Sequence, residues 1–381
     1  MADMSPTKAA RSAGWLLLVL AALVLVVASF FHLREREPPA TAAAAKPAAT
    51  QTSYPGGFPP ALADARPDLS TRADYVEVCG VGRVPSDEAR FWHEYEESGR
   101  RLIETTASSR ATSGNDLDRA LALYVAPMLD ASAAPPRDGA EPTRRRGETF
   151  QQLARFAVAS RDPETYALAF NRCGVDCPQL SSARWAQLEP DNAAPWLYEA
   201  DLAQRRNDPA GVDAALLRAS KARTFEPYES TPLRLIDTPA VRSAPPPAAG
   251  AAIISLAGMA AAVPWPSLQV AIQYCAAAAK GAAQRRQLCS DFAGVLAERS
   301  TVLLGMAIGA KIGEQAGWPA ERVAAVQSRA KALGQVMLAN SKDIYSCAAL
   351  ERNRRYFADF ARLGEVAAAE RVAIDRQQNS K

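Results

Sequence analysis

Two stretches of the chain decide its fold: FQQLARFAVASRDPETYALAFNR (150–172) and WLYEADLAQRRNDPAGVDAALLR (196–218). They repeat one pattern with an offset of 46 residues, so that Phe150 corresponds to Trp196 and Ala154 to Ala200. In each stretch the first helical run ends at Asp-Pro, where Asp is a good N-cap and Pro suits the first position of a helix. Each stretch therefore predicts two helices joined at Asp-Pro, with small alanines allowing the two helices to approach closely.

This pattern resembles the tetratricopeptide repeat. The matching positions are a large aromatic (Phe150, Trp196), a small residue four positions later (Ala154, Ala200), an acidic turn residue (Asp162, Asp208), a bulky residue (Phe170, Leu216) and a second small residue (Cys173, Ala219). The stretch LEPDNA (188–193) also resembles the junction between repeats of that family. The offset is 46 rather than about 34 residues because 174–189 holds an insertion. The resemblance covers only 148–223, and no third unit follows.

The resemblance implies that the first helix of each unit lines a concave groove, which in this family binds extended peptides or partner helices. The groove-facing positions of the family fall on Gln151, Arg155, Leu197, Asp201, Gln204 and Arg205. The alternative is that two units form no groove and simply pack on the rest of the chain, because free-standing solenoids usually need three or more repeats.

Composition excludes several classes of protein. The 381 residues are 48% apolar and 22% charged, which is typical of a globular chain and not of a disordered one. A net charge of +3 gives no reason to expect a nucleic-acid partner. His32 and His93 are the two histidines, which is too few for a His-rich metal site. We expect no cofactor and no metal.

The stretch WLLLVLAALVLVVASFF (15–31) is uncharged and predicts a transmembrane helix near the lower length limit. It places the protein in the bacterial inner membrane, single-pass, with the C-terminal region in the periplasm. The alternative is a signal peptide that is cleaved near Ser29, which would leave a secreted or periplasmic protein. Six prolines in 37–60 then favour an extended tether.

The rest of the chain shows apolar spacings of three and four and predicts an all-α body. Helices are expected over 86–110, 115–130 and 148–160, with a polar loop at 131–147. The uncharged stretch AAGAAIISLAGMAAAV (248–263) predicts a buried core helix rather than a second span, because it is short and alanine-rich. Gly305, Gly309 and Gly313 lie at a spacing of four and favour close helix contact within a bundle.

Six cysteines are compatible with three disulfides in an oxidising compartment. Cys275 and Cys289 lie on either side of Gly281, so an antiparallel hairpin would bring them together. Cys173 and Cys177 are close enough for one turn to join them, which leaves Cys79 to pair with Cys347. Free thiols and a metal or redox role are the alternatives.

Catalytic signals are weak. His93 lies among Glu94, Glu96 and Glu97, where a zinc peptidase would need a second histidine at position 97. Neighbouring carboxylates of this kind usually form a solvated helix face. Ser328 and Lys331 match Ser-x-x-Lys without the companion motifs of that enzyme class.

The predicted organisation is therefore a tail, a transmembrane helix, a linker, two helical regions separated by a Pro-rich connection, and a second tail (1–14, 15–31, 32–60, 61–226, 227–247, 248–375 and 376–381). We expect a membrane-anchored extracytoplasmic scaffold or adaptor that binds another protein without catalysis. A periplasmic cell-wall hydrolase using carboxylates near His93 and an architectural subunit of a membrane assembly are the alternatives.

Overall fold

The computed structural model describes residues 74–112, 115–130, 141–278, 283–340 and 343–379. These residues form one compact unit, Asp74–Lys381, apart from the short undescribed segments within it. The predicted tail, transmembrane helix and linker lie outside the described residues. Within the described ranges, none of the helices has both the length and the apolar character that crossing a membrane requires.

The described chain is almost entirely α-helical, as predicted. The helices are α1 (Ala89–Ala111), α2 (Asp116–Asp130), α3 (Glu141–Ala159), α4 (Pro163–Cys173), α5 (Ser182–Leu188), α6 (Ala193–Arg205), α7 (Pro209–Ser220), α8 (Pro239–Ser243), α9 (Pro246–Ala261), α10 (Gln269–Ala278), α11 (Ala283–Arg299), α12 (Leu303–Gln315), α13 (Ala320–Asn340), α14 (Cys347–Leu363) and α15 (Glu365–Asn379). Two 3-10 turns, Gly174–Asp176 and Thr231–Leu235, complete them.

A short antiparallel hairpin precedes the helices and was not predicted. Strands β1 (Tyr75–Val78) and β2 (Gly82–Pro85) pair Val76 with Val84. Val78 and Val84 are buried, while Gly80 and Gly82 adopt positive φ in the turn. Strands of four residues carry too little alternation for a sequence pattern to reveal.

The helix at 148–160 begins earlier than predicted. α3 starts at Glu141, so part of the expected polar loop is helical. Pro142 does not oppose this start, because the first turn of a helix has no internal partner for its N–H groups. Residues 131–140, the remainder of the predicted loop, are not described.

The two Asp-Pro hairpins form as predicted. Asp162 caps α4 by accepting a hydrogen bond from the Thr165 N–H at 3.0 Å, and Asp208 caps α7 by accepting one from the Gly211 N–H at 2.9 Å. Helices α3 and α4 form the first hairpin, and α6 and α7 form the second. The insertion between them carries α5, which packs against α4 and α6.

The predicted core helix is confirmed. α9 packs between α1 and α14, and Ala252, Ile253 and Leu256 are buried. The Pro-rich connection that precedes it is no surface spacer, because Leu233, Leu235 and Ile236 are fully buried. One large apolar cluster runs from Ile103 to Ala368 and joins both helical regions.

Of the three glycines spaced at four in α12, Gly309 makes the predicted close helix contact, whereas Gly305 lies against Ser300 and Gly313 against the Trp318 ring. A Cβ at Gly309 would lie 2.5 Å from the backbone N of Ala297, so α12 approaches α11 at that point more closely than any side chain permits. The C-terminal helical stretch, in contrast, breaks at Gly364, which adopts a φ of 85° between α14 and α15.

The three disulfides pair as predicted. Cys275–Cys289 joins α10 to α11 with a Cα–Cα distance of 5.6 Å, and Cys173–Cys177 spans the end of α4 at 5.5 Å. Cys79–Cys347 joins the β-hairpin to the start of α14 at 4.5 Å. No free cysteine remains among the described residues.

Candidate functional site

The structure divides the six predicted groove residues. Arg155 on α3 and Gln204 and Arg205 on α6 are exposed. Leu197 is fully buried, so the expectation that it faces a partner is wrong: the helix turns this position into the core. Asp201 is partly buried and pairs with Arg205 at 2.7 Å, one helical turn away.

Gln151 is held by the insertion rather than presented to a partner. Its Nε2 donates to the Asp176 carbonyl oxygen at 2.7 Å, and its Oε1 accepts from Gln179 Nε2 at 3.0 Å. The inserted segment therefore occupies the predicted groove position at Gln151.

Two apolar side chains accompany the exposed polar ones on the first helices. Val158 on α3 is 46% exposed and Leu202 on α6 is 41% exposed. We use the term hairpin surface for five of the exposed side chains of these two helices, Arg155, Val158, Leu202, Gln204 and Arg205. Glu148 and Gln152 of α3 are exposed as well. The surface combines cationic and apolar side chains, and one of its cations, Arg205, is paired with Asp201.

Aromatic rings fix the two hairpins relative to each other. The rings of Phe170 on α4 and Tyr198 on α6 lie with centroids 4.9 Å apart, and Trp185 on α5 lies 5.8 Å from Phe170. Trp185 is fully buried, and Tyr228 lies 6.3 Å from it on the other side. Since α5 belongs to the insertion, the insertion is part of the core that holds the hairpins together.

A buried polar network, which we call the polar junction, adjoins these aromatic rings through Tyr228. It consists of Asn171, Glu189, Asn192, Glu226, Tyr228 and Glu229. Glu189 accepts hydrogen bonds from Tyr228 Oη and Asn192 Nδ2, each at 2.9 Å. Asn171 Nδ2 donates to the Pro227 carbonyl oxygen at 3.0 Å. The irregular segment 224–229 is thus bonded to both hairpins.

The same segment is bonded to the C-terminal bundle. The Thr301 N–H donates to the Phe225 carbonyl oxygen at 3.1 Å, and the Val366 N–H donates to the Thr301 carbonyl oxygen at 3.0 Å. Glu365 accepts from the Leu303 N–H at 2.7 Å. Three segments therefore meet next to the polar junction, one from the first helical region and two from the C-terminal bundle (224–229, 301–303 and 365–366).

Burial sets the electrostatics of the polar junction. It raises the pKa of Glu226 to about 7, with the nearby Glu164 and Glu189 acting in the same direction. It also raises the pKa of Glu229 well above its usual range, and Glu226 adds to that effect. Glu365 shows a raised pKa for the same reason. At acidic pH these carboxyl groups are neutral in the folded protein.

Two polar atoms of this region are buried without a hydrogen-bond partner, Glu229 Oε2 and Tyr356 Oη. Tyr228 adopts a positive φ of 63°, which is uncommon for an aromatic residue and requires support from its surroundings. No group of three or more His, Cys, Asp or Glu residues that could hold a metal ion occurs among the described residues.

One ion pair borders the polar junction. Arg234 donates to Glu164 through Nε at 2.7 Å and through Nη2 at 2.6 Å, and Thr231 Oγ1 donates to Glu164 Oε1 at 3.0 Å. Burial raises the pKa of Glu164, and the Arg234 guanidinium opposes that rise. The bidentate pair links the first turn of α4 to the 3-10 turn Thr231–Leu235.

The carboxylates near His93 form a solvated helix face. Glu94 accepts from Arg90 at 2.9 Å, one helical turn away, and both side chains are exposed. Glu97 accepts from Arg100, and this hydrogen bond lowers the pKa of Glu97. His93 is itself exposed. These ion pairs join residues of one helix, α1.

The sequence does not predict the polar junction. Glu189 and Asn192 lie in the stretch 188–193, which resembles a junction between repeats but gives no sign of a buried network. Glu226, Tyr228 and Glu229 lie next to or within a Pro-rich segment, which is typical of a linker. The one signal is the pair of acidic residues, Glu226 and Glu229, that flank Pro227 and Tyr228.

Comparison with protein-family models, with curated proteins and with solved structures found no match for this chain.

Proposed function

We propose that the chain is an extracytoplasmic, membrane-anchored adaptor that binds another protein at the hairpin surface and performs no catalysis. The uncharged stretch 15–31 supports the anchor. Three disulfides favour an oxidising compartment outside the cytoplasm.

The observation that carries the proposal is the exposure of Arg155 one turn from the exposed Val158 on α3, and of Gln204 and Arg205 near the exposed Leu202 on α6. Arginine beside apolar side chains is well suited to a protein interface, because the guanidinium binds carboxylates bidentately and its stem covers apolar area. The partner is thus a protein segment that carries carboxylates next to apolar side chains.

Rigidity supports the same function. The aromatic rings and the polar junction hold the two hairpins in one arrangement, so the hairpin surface is formed before a partner arrives. Preorganisation of this kind lowers the entropic cost of binding.

Charge reversal tests the proposal. We expect the double variant R155E/R205E to lose the partner that co-purifies with the full chain from detergent-solubilised membranes. The matched control is R218E/K331E, which makes the same change of charge at two other exposed positions. Equal partner recovery with R155E/R205E and wild type would reject the hairpin surface as the binding site. Hydrolytic activity in the purified protein would reject the adaptor function itself.

A further inference from the structure

The three disulfides differ in their access to solvent. Cys347, at the first position of α14, is exposed, and its partner Cys79 is 8% exposed. Cys173 is 4% exposed, and Cys177, Cys275 and Cys289 are fully buried. Because thiol–disulfide exchange requires a thiolate to reach a sulfur in line, only the Cys79–Cys347 bond is open to a bulky reductant.

The Cys79–Cys347 bond holds a small module on the body. The β-hairpin packs through Val78 and Val84 against Tyr95, in an apolar cluster separate from the main core. Ala251 of α9 belongs to the same cluster, and Val76, Phe91, Trp92 and Tyr345 pack against it, with the Trp92 and Tyr345 rings 4.9 Å apart. A two-stranded hairpin alone is marginally stable in water, so this module depends on what fastens it.

Besides the disulfide, the β-hairpin is held by two hydrogen bonds and by packing of its turn, where a Cβ at Gly80 would lie 3.3 Å from Pro246 and Pro247 of α9. The Cys79 N–H donates to the Tyr345 carbonyl oxygen at 2.9 Å, and Trp92 Nε1 donates to the Pro85 carbonyl oxygen at 3.2 Å. The first of these bonds involves Cys79 itself, and the second joins the end of β2 to α1. Loss of the covalent bond therefore weakens the attachment of the hairpin to Tyr345 while the main core remains packed.

We propose that Cys79–Cys347 is a thiol–disulfide exchange site, which a protein dithiol of the Cys-x-x-Cys class reduces while the other two disulfides stay intact. One thiolate of the dithiol attacks Cys347 Sγ, which breaks the bond to Cys79 and forms a mixed disulfide. Cys79 leaves as a thiolate and takes up a proton. The second thiolate of the dithiol then attacks the dithiol sulfur that is bonded to Cys347. This step releases Cys347 as a thiolate, which takes up a proton. Two electrons pass to this chain, and the dithiol becomes a disulfide.

Reduction uncovers a specific surface. When the hairpin leaves, the aromatic side chains of Phe91, Trp92 and Tyr345 lose their cover from Val76, Val78 and Val84. The exchange site therefore controls the exposure of an aromatic face formed by α1 and Tyr345, at a place separate from the hairpin surface.

The first experiment compares the rates of reduction. The full-length oxidised chain is exposed to dithiothreitol without denaturant, quenched with iodoacetamide at intervals and mapped by peptide mass spectrometry. We expect Cys79 and Cys347 to be alkylated about tenfold faster than the other four cysteines, or more. Alkylation of Cys275 and Cys289 at the same rate as Cys79 would overturn the proposal, because reduction would then follow global unfolding.

The second experiment follows the aromatic face. We expect reduction to increase the quenching of tryptophan fluorescence by acrylamide, and the C79S/C347S variant to show that increase without any reductant. The matched control W92F should show no increase on reduction, because Trp92 is the tryptophan of the module. Alkylation of Cys79 and Cys347 with unchanged quenching in wild type would overturn the claim that the bond fastens the hairpin.

Discussion

Asn192 and Glu226 exchange two hydrogen bonds across the polar junction. Asn192 Nδ2 donates to the Glu226 carbonyl oxygen at 2.8 Å, and the Glu226 N–H donates to Asn192 Oδ1 at 3.0 Å. Asn192 also caps α6 by accepting from the Ala194 N–H at 3.0 Å. One fully buried amide thus starts the second hairpin and holds the irregular segment beside it.

Removing that amide should be costly. We expect Asn192→Ala to lower the free energy of unfolding by roughly 2–4 kcal/mol, because both backbone groups of Glu226 lose their partner in a buried position. Urea unfolding at fixed pH measures the change. Gln204→Ala, at an exposed position, serves as the control and should shift stability by less than about 0.5 kcal/mol. Equal effects of the two variants would contradict the role of Asn192.

Stability should fall as the pH rises through neutrality. Burial raises the pKa of Glu226 from 4.5 to about 7, so the folded state binds a proton that the unfolded state releases. This contribution is fully present below about pH 4.5 and is lost as the pH rises through about 7. The loss is on the order of 3 kcal/mol. Unfolding free energies measured from about pH 5 to about pH 8, which is roughly the range in which Glu226 titrates, should show this loss of stability.

Glu226→Gln isolates that carboxyl group from the others nearby. Glu229 and Glu365 also carry raised pKa values and contribute dependence of the same sign, so the variant should reduce the pH dependence without abolishing it. Gln204→Ala, which removes no titratable group, is the control and should leave the pH dependence unchanged. An unreduced slope in Glu226→Gln would refute the assignment.

Glycine 309 should tolerate no side chain. We expect Gly309→Ala to lower the free energy of unfolding by about 3 kcal/mol or more, because its Cβ would lie 2.5 Å from the Ala297 N and 2.9 Å from the Ala293 carbonyl oxygen, and backbone atoms cannot move aside cheaply. Gly334→Ala on α13 is the matched control, since nothing lies within 4 Å of its added Cβ. That variant should be neutral or stabilising by up to about 1 kcal/mol. Thermal unfolding of both variants checks the pair.

Removing the N-cap of α4 and removing the N-cap of α7 should lower the stability by similar amounts. Asp162→Ala and Asp208→Ala each remove the acceptor for one N–H in the first turn of the second helix, and each should lower the free energy of unfolding by about 1 kcal/mol. Asp162 also accepts from Thr165 Oγ1, so its replacement should cost the larger amount. Chemical denaturation compares the two. A loss in only one hairpin would contradict the equivalence of the two turns.

Helix positions were predictable where capping and periodicity act locally. The Asp-Pro turns, the core helix α9 and the disulfide between α10 and α11 all follow from residues close in sequence. The β-hairpin was not predictable, because its two strands are held by Trp92 and Tyr345 rather than by their own pattern. The start of α3 was missed because Pro142 and the charged residues after it are equally typical of a loop.

The six predicted groove residues differ in their surroundings. Arg155, Gln204 and Arg205 are exposed, while Leu197 is buried and Gln151 is held by the insertion. Partner binding by the exposed residues stays a prediction. The polar junction could not be predicted, because its hydrogen bonds join residues up to 56 positions apart in sequence. A pattern confined to one repeat contains no information about such partners.

The Cys79–Cys347 bond has a mechanical consequence. Its two cysteines are 268 residues apart in sequence, so nearly the whole helical body lies inside one covalent loop. Tension applied between residue 74 and the end of α15 would run from the first strand through the two sulfur atoms into α14. The two Asp-Pro hairpins, Glu226, Glu229 and the Gly309 contact lie inside the loop. They would carry none of that load, and they would keep their shape under a pull that unravels an uncrosslinked chain.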